Sequence, residues 1–263
     1  MRRTEGSLRF GERVKLTGRH SSRKHDKPIQ VEYKARGEKP KTIAVPRTDR
    51  KGRYVVRHRP AHSGRYRAID RKGSLKTDKV AVEVKPTLDF EVKPSTLTGR
   101  KVEASGELLP GAEGRRILVE ARRKGDWKRV ERVDAGKPFD VSWRPERVGS
   151  YKLRASFEGD KRNLGEREAA PVMVFRESVT SIYGPGFYGR QTACGQRLER
   201  KTVGVAHKKI ACGKKVTFRR KGRSITVPVI DRGPFIKHRE WDLTTAAASK
   251  LKVEGVQRVW SSR

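Results

Sequence analysis

From Ser178 to Phe218 the chain reads SVTSIYGPGFYGRQTACGQRLERKTVGVAHKKIACGKKVTF, and from Ser224 to Leu251 it reads SITVPVIDRGPFIKHREWDLTTAAASKL. Gly184, Gly186 and Gly189 stand among aromatics, a pattern for a tight loop whose backbone approaches a neighbour closely. The β-rich stretch that follows carries Asp231 and Asp242, each read at a strand-to-turn junction. An acid pair in a cationic segment has two readings. Either the aspartates cap turns and pair with arginines, or they form a carboxylate site. Residues 244–251, TTAAASKL, read as one short helix with a threonine near its start.

Working outward, 263 residues suffice for two or three modest domains. Lys and Arg number 65 against 30 Asp and Glu, a net charge of +35. Such a charge speaks to polyanionic partners, not to fold. It is spread along the chain: residues 177–263 hold 19 Lys and Arg against 6 Asp and Glu. No helix-turn-helix pattern, zinc-finger spacing or RNP-type motif accompanies it, so an anionic cell wall ranks first as partner and nucleic acid a distant last. No apolar run is long enough for a transmembrane helix, and MRRTEGSLRF lacks the apolar core of a signal peptide. That start conflicts with export unless a leader was removed or the start is misassigned.

Cys194 and Cys212 are the two cysteines, each followed by a glycine. Zinc would need more ligands at zinc-like spacing, so no metal is expected, nor any cofactor. A redox motif would set the cysteines closer together. A structural disulfide in an oxidising compartment is the favoured reading, and two reduced, buried thiols are the alternative.

The first 175 residues repeat. Gly11, Val14, Gly18, Ile29, Val31 and Val45 recur 88 positions later as Gly99, Val102, Gly106, Ile117, Val119 and Val133. YVVRHRP with Gly64 and Tyr66 recurs 85 positions later as FDVSWRP with Gly149 and Tyr151. Within each copy apolar residues alternate at strand period, as in Ile29-Val31-Tyr33 and Ile117-Val119-Ala121. Units of this length with short strands fit β-sandwiches, with Tyr66 and Tyr151 anchoring the last inner strands. Trp143 reads as packed, and Trp127, after "KGD" in a hairpin, as the more exposed aromatic. The pattern resembles bacterial immunoglobulin-like modules, and a spacer or stalk is the expected role.

The pieces "YGPGFYG", "TACG", "VAHK", "CGKKV", "VPVIDRGPF" and "WDLT" resemble the RlpA-like (rare lipoprotein A) double-psi β-barrel, shared more distantly with barwin, expansins, family-45 endoglucanases and the lytic transglycosylase MltA. The expected fold is all-β: sandwiches over 1–86 and 87–176, then a six-stranded double-psi barrel over 177–263. The resemblance implies a glycan groove, with peptidoglycan or another wall polysaccharide as partner and an extracellular or wall-associated location. It places Asp242 where the relatives carry a catalytic aspartate, with Asp231 as the second acid of the groove. Flanking Trp241 and Leu243 are expected to lower polarity around Asp242. Where RlpA transglycosylases carry a Glu after the glycine and an Asp three further on, this chain has Gln196 and Glu199; the histidine is kept as His207. Gln196 does not titrate, which weakens the case for catalysis. His207 reads equally as a groove residue or a satisfied strand histidine. Tyr183, Phe187, Tyr188 and Trp241 are the expected sugar-stacking aromatics. A lytic transglycosylase and a non-catalytic expansin- or barwin-like binder are the two functional expectations.

Overall fold

A computed structural model describes residues 1–3, 7–22, 25–70 and 76–263. The alternating apolar residues form three separate cores. In the first sandwich a three-stranded sheet (Arg2–Arg3, Val14–Arg19, Arg53–His58) faces a four-stranded one (Lys41–Ala44, Ile29–Ala35, Gly64–Asp70, Val80–Val82). Val14, Leu16, Val31 and Tyr66 fill the space between them. The second sandwich repeats the plan. Thr87–Val92, Val102–Leu109 and Phe139–Trp143 make one sheet. Lys128–Asp134, Arg116–Arg122, Gly149–Phe157 and the first part of Glu166–Tyr183 make the other, over Val102, Leu108, Ile117 and Leu153.

The expected anchors are core residues. Tyr66 is fully buried and shares a hydrogen bond with His58 Nδ1 at 2.8 Å; Tyr151 donates to the Arg147 carbonyl, also at 2.8 Å. Trp143 packs edge-on against Tyr151 with ring centroids 5.0 Å apart. Trp127, like Trp143, is half-buried. Guanidinium groups of Arg122 and Arg154 stand over its ring at 4.7 and 4.1 Å, so cations already occupy the surface a sugar would need.

The strand Glu166–Tyr183 runs through the second sandwich and on into a closed six-stranded ring. Around that ring it neighbours Trp241–Thr244, then Val205–Ala206, Arg223–Asp231, Lys215–Arg220 and Gln257–Ser261, which pairs back with it. Two of these pairings are parallel, Glu166–Tyr183 with Trp241–Thr244 and Val205–Ala206 with Arg223–Asp231. The division expected at residue 176 therefore falls inside one continuous strand. Phe218, Trp241, Leu243 and Leu251 fill the ring. The helix Thr245–Leu251 forms beside it, its N-cap Thr244 accepting from Ala247 N. Among the described residues no helix is long and apolar enough to cross a membrane.

Candidate functional site

Strand register assembles the candidate site. Val205 pairs with Leu243 and with Val229, and all three face the barrel core. Side chains alternate along a strand, so the next row faces outward. That row is Ser181, Asp242 and Ala206 on three adjacent strands, with Asp242 opposite both of the others; a register shift on the next strand brings Asp231, two residues after inward Val229, opposite Ala206 as well. Two interstrand spacings put the aspartate Cα atoms about 9.5 Å apart on one outward face.

Among the described residues neither carboxylate pairs with an arginine side chain. Asp242 Oδ1 accepts a short hydrogen bond from Ser181 Oγ. Asp231 Oδ1 accepts from the backbone N–H groups of Ala193 and Arg232, both at 2.8 Å. Arg232 reaches away, to the carbonyls of His207 and Ile210. Tyr183, two residues beyond Ser181, shares the outward face. Burial pushes its phenol well up, and the charges of Asp231 and Asp242 push it further, so it stays protonated between the two acids. Its buried hydroxyl has no hydrogen-bond partner.

The glycine-rich loop borders this face. An added Cβ on Gly184 would lie 2.5 Å from Thr245 Oγ1, and Gly189 has φ +82°. Gly186 shows neither constraint. Phe187 is 52% exposed and meets Tyr183 edge-on, ring centroids 6.1 Å apart. Tyr188 donates to Thr245 Oγ1 at 2.8 Å, and Arg200 stands 5.4 Å from its ring. A disulfide joins Cys194 to Cys212, Cα atoms 5.7 Å apart, and so pins the turn whose Ala193 N–H holds Asp231.

Four of the expected site residues do not join this row. Trp241 is 0% exposed and points into the barrel, with Phe218 edge-on at 5.1 Å; it is a core residue, not a stacking platform. Its neighbour Leu243 faces the core too, so neither supplies an apolar wall around the Asp242 carboxyl. His207 faces as Trp241 does, with ring centroids 4.4 Å apart. His207 Nδ1 accepts from the backbone N–H groups of Lys209 and Ile210, which places the neutral ring's proton on Nε2. Burial lowers its pKa, and Arg176, Arg232 and Lys208 lower it further. It is a satisfied turn histidine. Gln196 and Glu199 are exposed in the loop after the disulfide turn. Glu199 lies 3.6 Å from Lys201, and no hydrogen bond ties either residue to an aspartate.

Sequence reasoning missed Ser181, although period-two counting back from Tyr183 would have found it. It also missed the Ala193 N–H, a backbone group with no side-chain signal. Phe235, 81% exposed in the turn after Asp231, was visible only as an apolar residue behind a Gly-Pro.

Residues 177–259 match the family model described as Lytic transglycolase. The Probable endolytic peptidoglycan transglycosylase RlpA of Nostoc sp. is 39% identical over 97 residues, covering 35% of this chain and 26% of the relative. The Endolytic peptidoglycan transglycosylase RlpA of Campylobacter jejuni is 39% identical over 77 residues, 28% of each. The Aquifex aeolicus protein, also named Probable endolytic peptidoglycan transglycosylase RlpA, is 35% identical over 111 residues, 41% of this chain and 49% of the relative. The chain thus spans about a quarter to a half of the length of these relatives. Among solved structures, a tetra-tandem repeat from the extending region of a large adhesion protein overlaps 86% of this chain and 63% of its own at TM-score 0.33 and 12% identity. On its strand ring and this match, the C-terminal part of the chain is an RlpA-like double-psi β-barrel, carried behind two β-sandwiches.

Proposed function

We propose that the barrel acts on peptidoglycan glycan strands as a lytic transglycosylase, with Asp242 as the acid/base, in an exported, wall-associated protein. The observation that carries this is the outward row Ser181–Asp242–Ala206–Asp231, where two aspartates free of arginine flank one small residue. A retaining hydrolase sets its carboxyl groups about 5 Å apart. In this reading Asp242 alone does the acid/base work, and no second carboxylate attacks the sugar. Asp242 protonates the glycosidic oxygen, the C1–O bond breaks, and the sugar's own 6-hydroxyl attacks C1. Asp242, now a carboxylate, takes that hydroxyl's proton, and the product is an anhydro sugar. Asp231 then orients the strand across the face. Exposed Phe187 offers a flat apolar surface for a sugar ring.

A second reading, a non-catalytic wall binder, is favoured by one observation. The loop position where the relatives' pattern carries a Glu holds Gln196, and Glu199 sits beside Lys201. One assay separates the two. The full chain is incubated with sacculi and with denuded glycan strands, and soluble anhydro-muropeptides are measured by mass spectrometry. The enzyme reading expects product that disappears with Asp242→Asn. Retention on sacculi without product would establish the binder. Product surviving Asp242→Asn would remove Asp242 from its role.

A further inference from the structure

The two sandwiches carry opposite charge on the same sheet. In the first, the outward face of Arg2–Arg3, Val14–Arg19 and Arg53–His58 presents Arg2, Lys15, Arg19, Arg53 and Arg57. Lys15 is directly opposite Arg57, and Arg19 is opposite Arg53. These strands contain no acid. The neighbouring Asp49 spends Oδ1 on the Lys51 and Arg53 N–H groups. In the second sandwich, the equivalent face of Thr87–Val92, Val102–Leu109 and Phe139–Trp143 presents Asp89, Glu91, Glu103, Glu107 and Asp140. Asp89 is directly opposite Glu107, and the outward side chains of these strands include no cation. None of these carboxylates enters an ion pair among the described residues. Most of them line a hollow of about 630 Å³, with Arg9 among its other lining residues.

At two aligned positions the charge inverts directly. Lys15 and Arg19 recur 88 residues later as Glu103 and Glu107, around the matching pair Thr17 and Ser105. Like charges facing each other across a strand pair are unfavourable, so each face by itself costs stability. In a chain of net charge +35, a purely acidic sheet face runs against composition. Among the described residues no ion pair joins Arg2, Arg19, Arg53 or Arg57 to the acidic face.

We infer that the acidic face of the second sandwich docks onto the basic face of the first sandwich of another copy of this chain. The contact is heterologous, so each copy keeps one face free and the assembly extends or closes into a ring. A three-stranded face of about six residues per strand covers roughly 300 Å². That is well below the ~800 Å² per partner of a stable interface, so the association is weak and concentration-dependent. Salt acts on it in two directions. At about 0.01 M ionic strength, whole-molecule repulsion extends over about 30 Å and opposes assembly; at about 0.15 M it is confined to about 8 Å, while facing charges in contact still attract. At about 1 M both are screened.

Sedimentation velocity of the full chain, with a chelator present to exclude metal bridging, reads this out. From roughly 10 μM to 1 mM, the average mass is expected to rise most steeply near 0.15 M salt and to flatten near 1 M. Charge reversal tests the faces. An Asp89→Lys/Glu91→Lys/Glu103→Lys/Glu107→Lys/Asp140→Lys variant carries two basic faces, and an Arg2→Glu/Lys15→Glu/Arg19→Glu/Arg53→Glu/Arg57→Glu variant carries two acidic ones. Each alone is expected to stay monomeric, and an equimolar mixture is expected to regain association. A monomeric wild type at the highest concentration, association that strengthens toward 1 M salt, or a mixture that stays monomeric would overturn the inference. If a reversed variant fails to fold by circular dichroism, the salt series on the wild-type chain decides.

Discussion

Removing the Cys194–Cys212 bridge is expected to cost the barrel about 3 kcal/mol. The bridge spans a sequence separation of 18 residues. In the chain-entropy account a closed loop of about that length constrains the unfolded state by about 3 kcal/mol. Across a unit of the barrel's size, each kcal/mol moves the melting temperature by about 4–8 °C, so a drop of about 12 °C or more is expected. The sandwich cores contain neither cysteine and serve as the internal reference. Calorimetry of the full chain, oxidised and then reduced, and of Cys194→Ala/Cys212→Ala, measures the shift. A second readout follows from geometry. Ala193, next to Cys194, donates its N–H to Asp231, so amide exchange at Ala193 should rise in the reduced protein before global unfolding. An unmoved barrel transition, or one that moves together with the sandwiches, would refute the reasoning. So would an Ala193 amide that stays protected without the bridge.

Trp241→Ala should destabilise the barrel by about 3–5 kcal/mol, because it empties a fully buried site between Phe218 and His207, with chemical denaturation as the measure. Phe187→Ala, at an exposed position, should leave that stability unchanged and weaken retention on sacculi in a pull-down. Ser181→Ala removes the hydroxyl that donates to Asp242 and should lower anhydro-product formation roughly tenfold or more, with circular dichroism unchanged. Burial holds His58 below its ordinary 6.5, and burial with neighbouring cations does the same for His207. As pH falls the unfolded chain therefore takes up these protons first. Stability should be full above about pH 6.5 and decline below it, and His58→Gln should flatten that slope in melts taken across pH.

Period-two alternation made most of the fold legible. The inward residues Val14, Leu16, Val31 and their counterparts Val102, Ala104 and Val119 are apolar because each faces a second sheet, and that pattern survives in the sequence alone. The cysteine pairing was the favoured reading of the sequence, with two buried thiols as its alternative, and the structure has the bridge. Trp241 was misread although the same alternation contained the answer: if Asp242 faces outward, Trp241 and Leu243 must face in. A neighbour in sequence is on the opposite side of a strand. His207 was open between a groove role and a satisfied one, and its ring packs on Trp241. Gln196 and Glu199 failed differently. They belong to a loop closed by turn hydrogen bonds such as Thr192 N to the Gln196 carbonyl, and no periodicity reports where such a loop points. The Ala193 N–H that fixes Asp231 leaves no mark in residue identity at all.

The long strand Glu166–Tyr183 changes how the sandwiches relate to the groove. Val172 and Val174 on it pack in the second sandwich, while Ser181 and Tyr183 on the same backbone line the carboxylate face. Between them, Arg176 pairs with Glu240, and Arg219 of the barrel reaches Ser95 of the sandwich. The other joint is tied as firmly. Asn163 Nδ2 donates to the Ala61 and Val84 carbonyls, its Oδ1 accepts from buried Arg115 at 2.7 Å, and Lys85 pairs with buried Glu166 at 2.9 Å. Polar groups removed from water at a junction are costly to unpair, so each joint resists bending. A flexible tether would let the groove find glycan independently of its stalk. A strand shared without interruption instead passes any orientation of the sandwiches on to the groove, so whatever docks on the charged sheet faces also sets where Asp242 is presented.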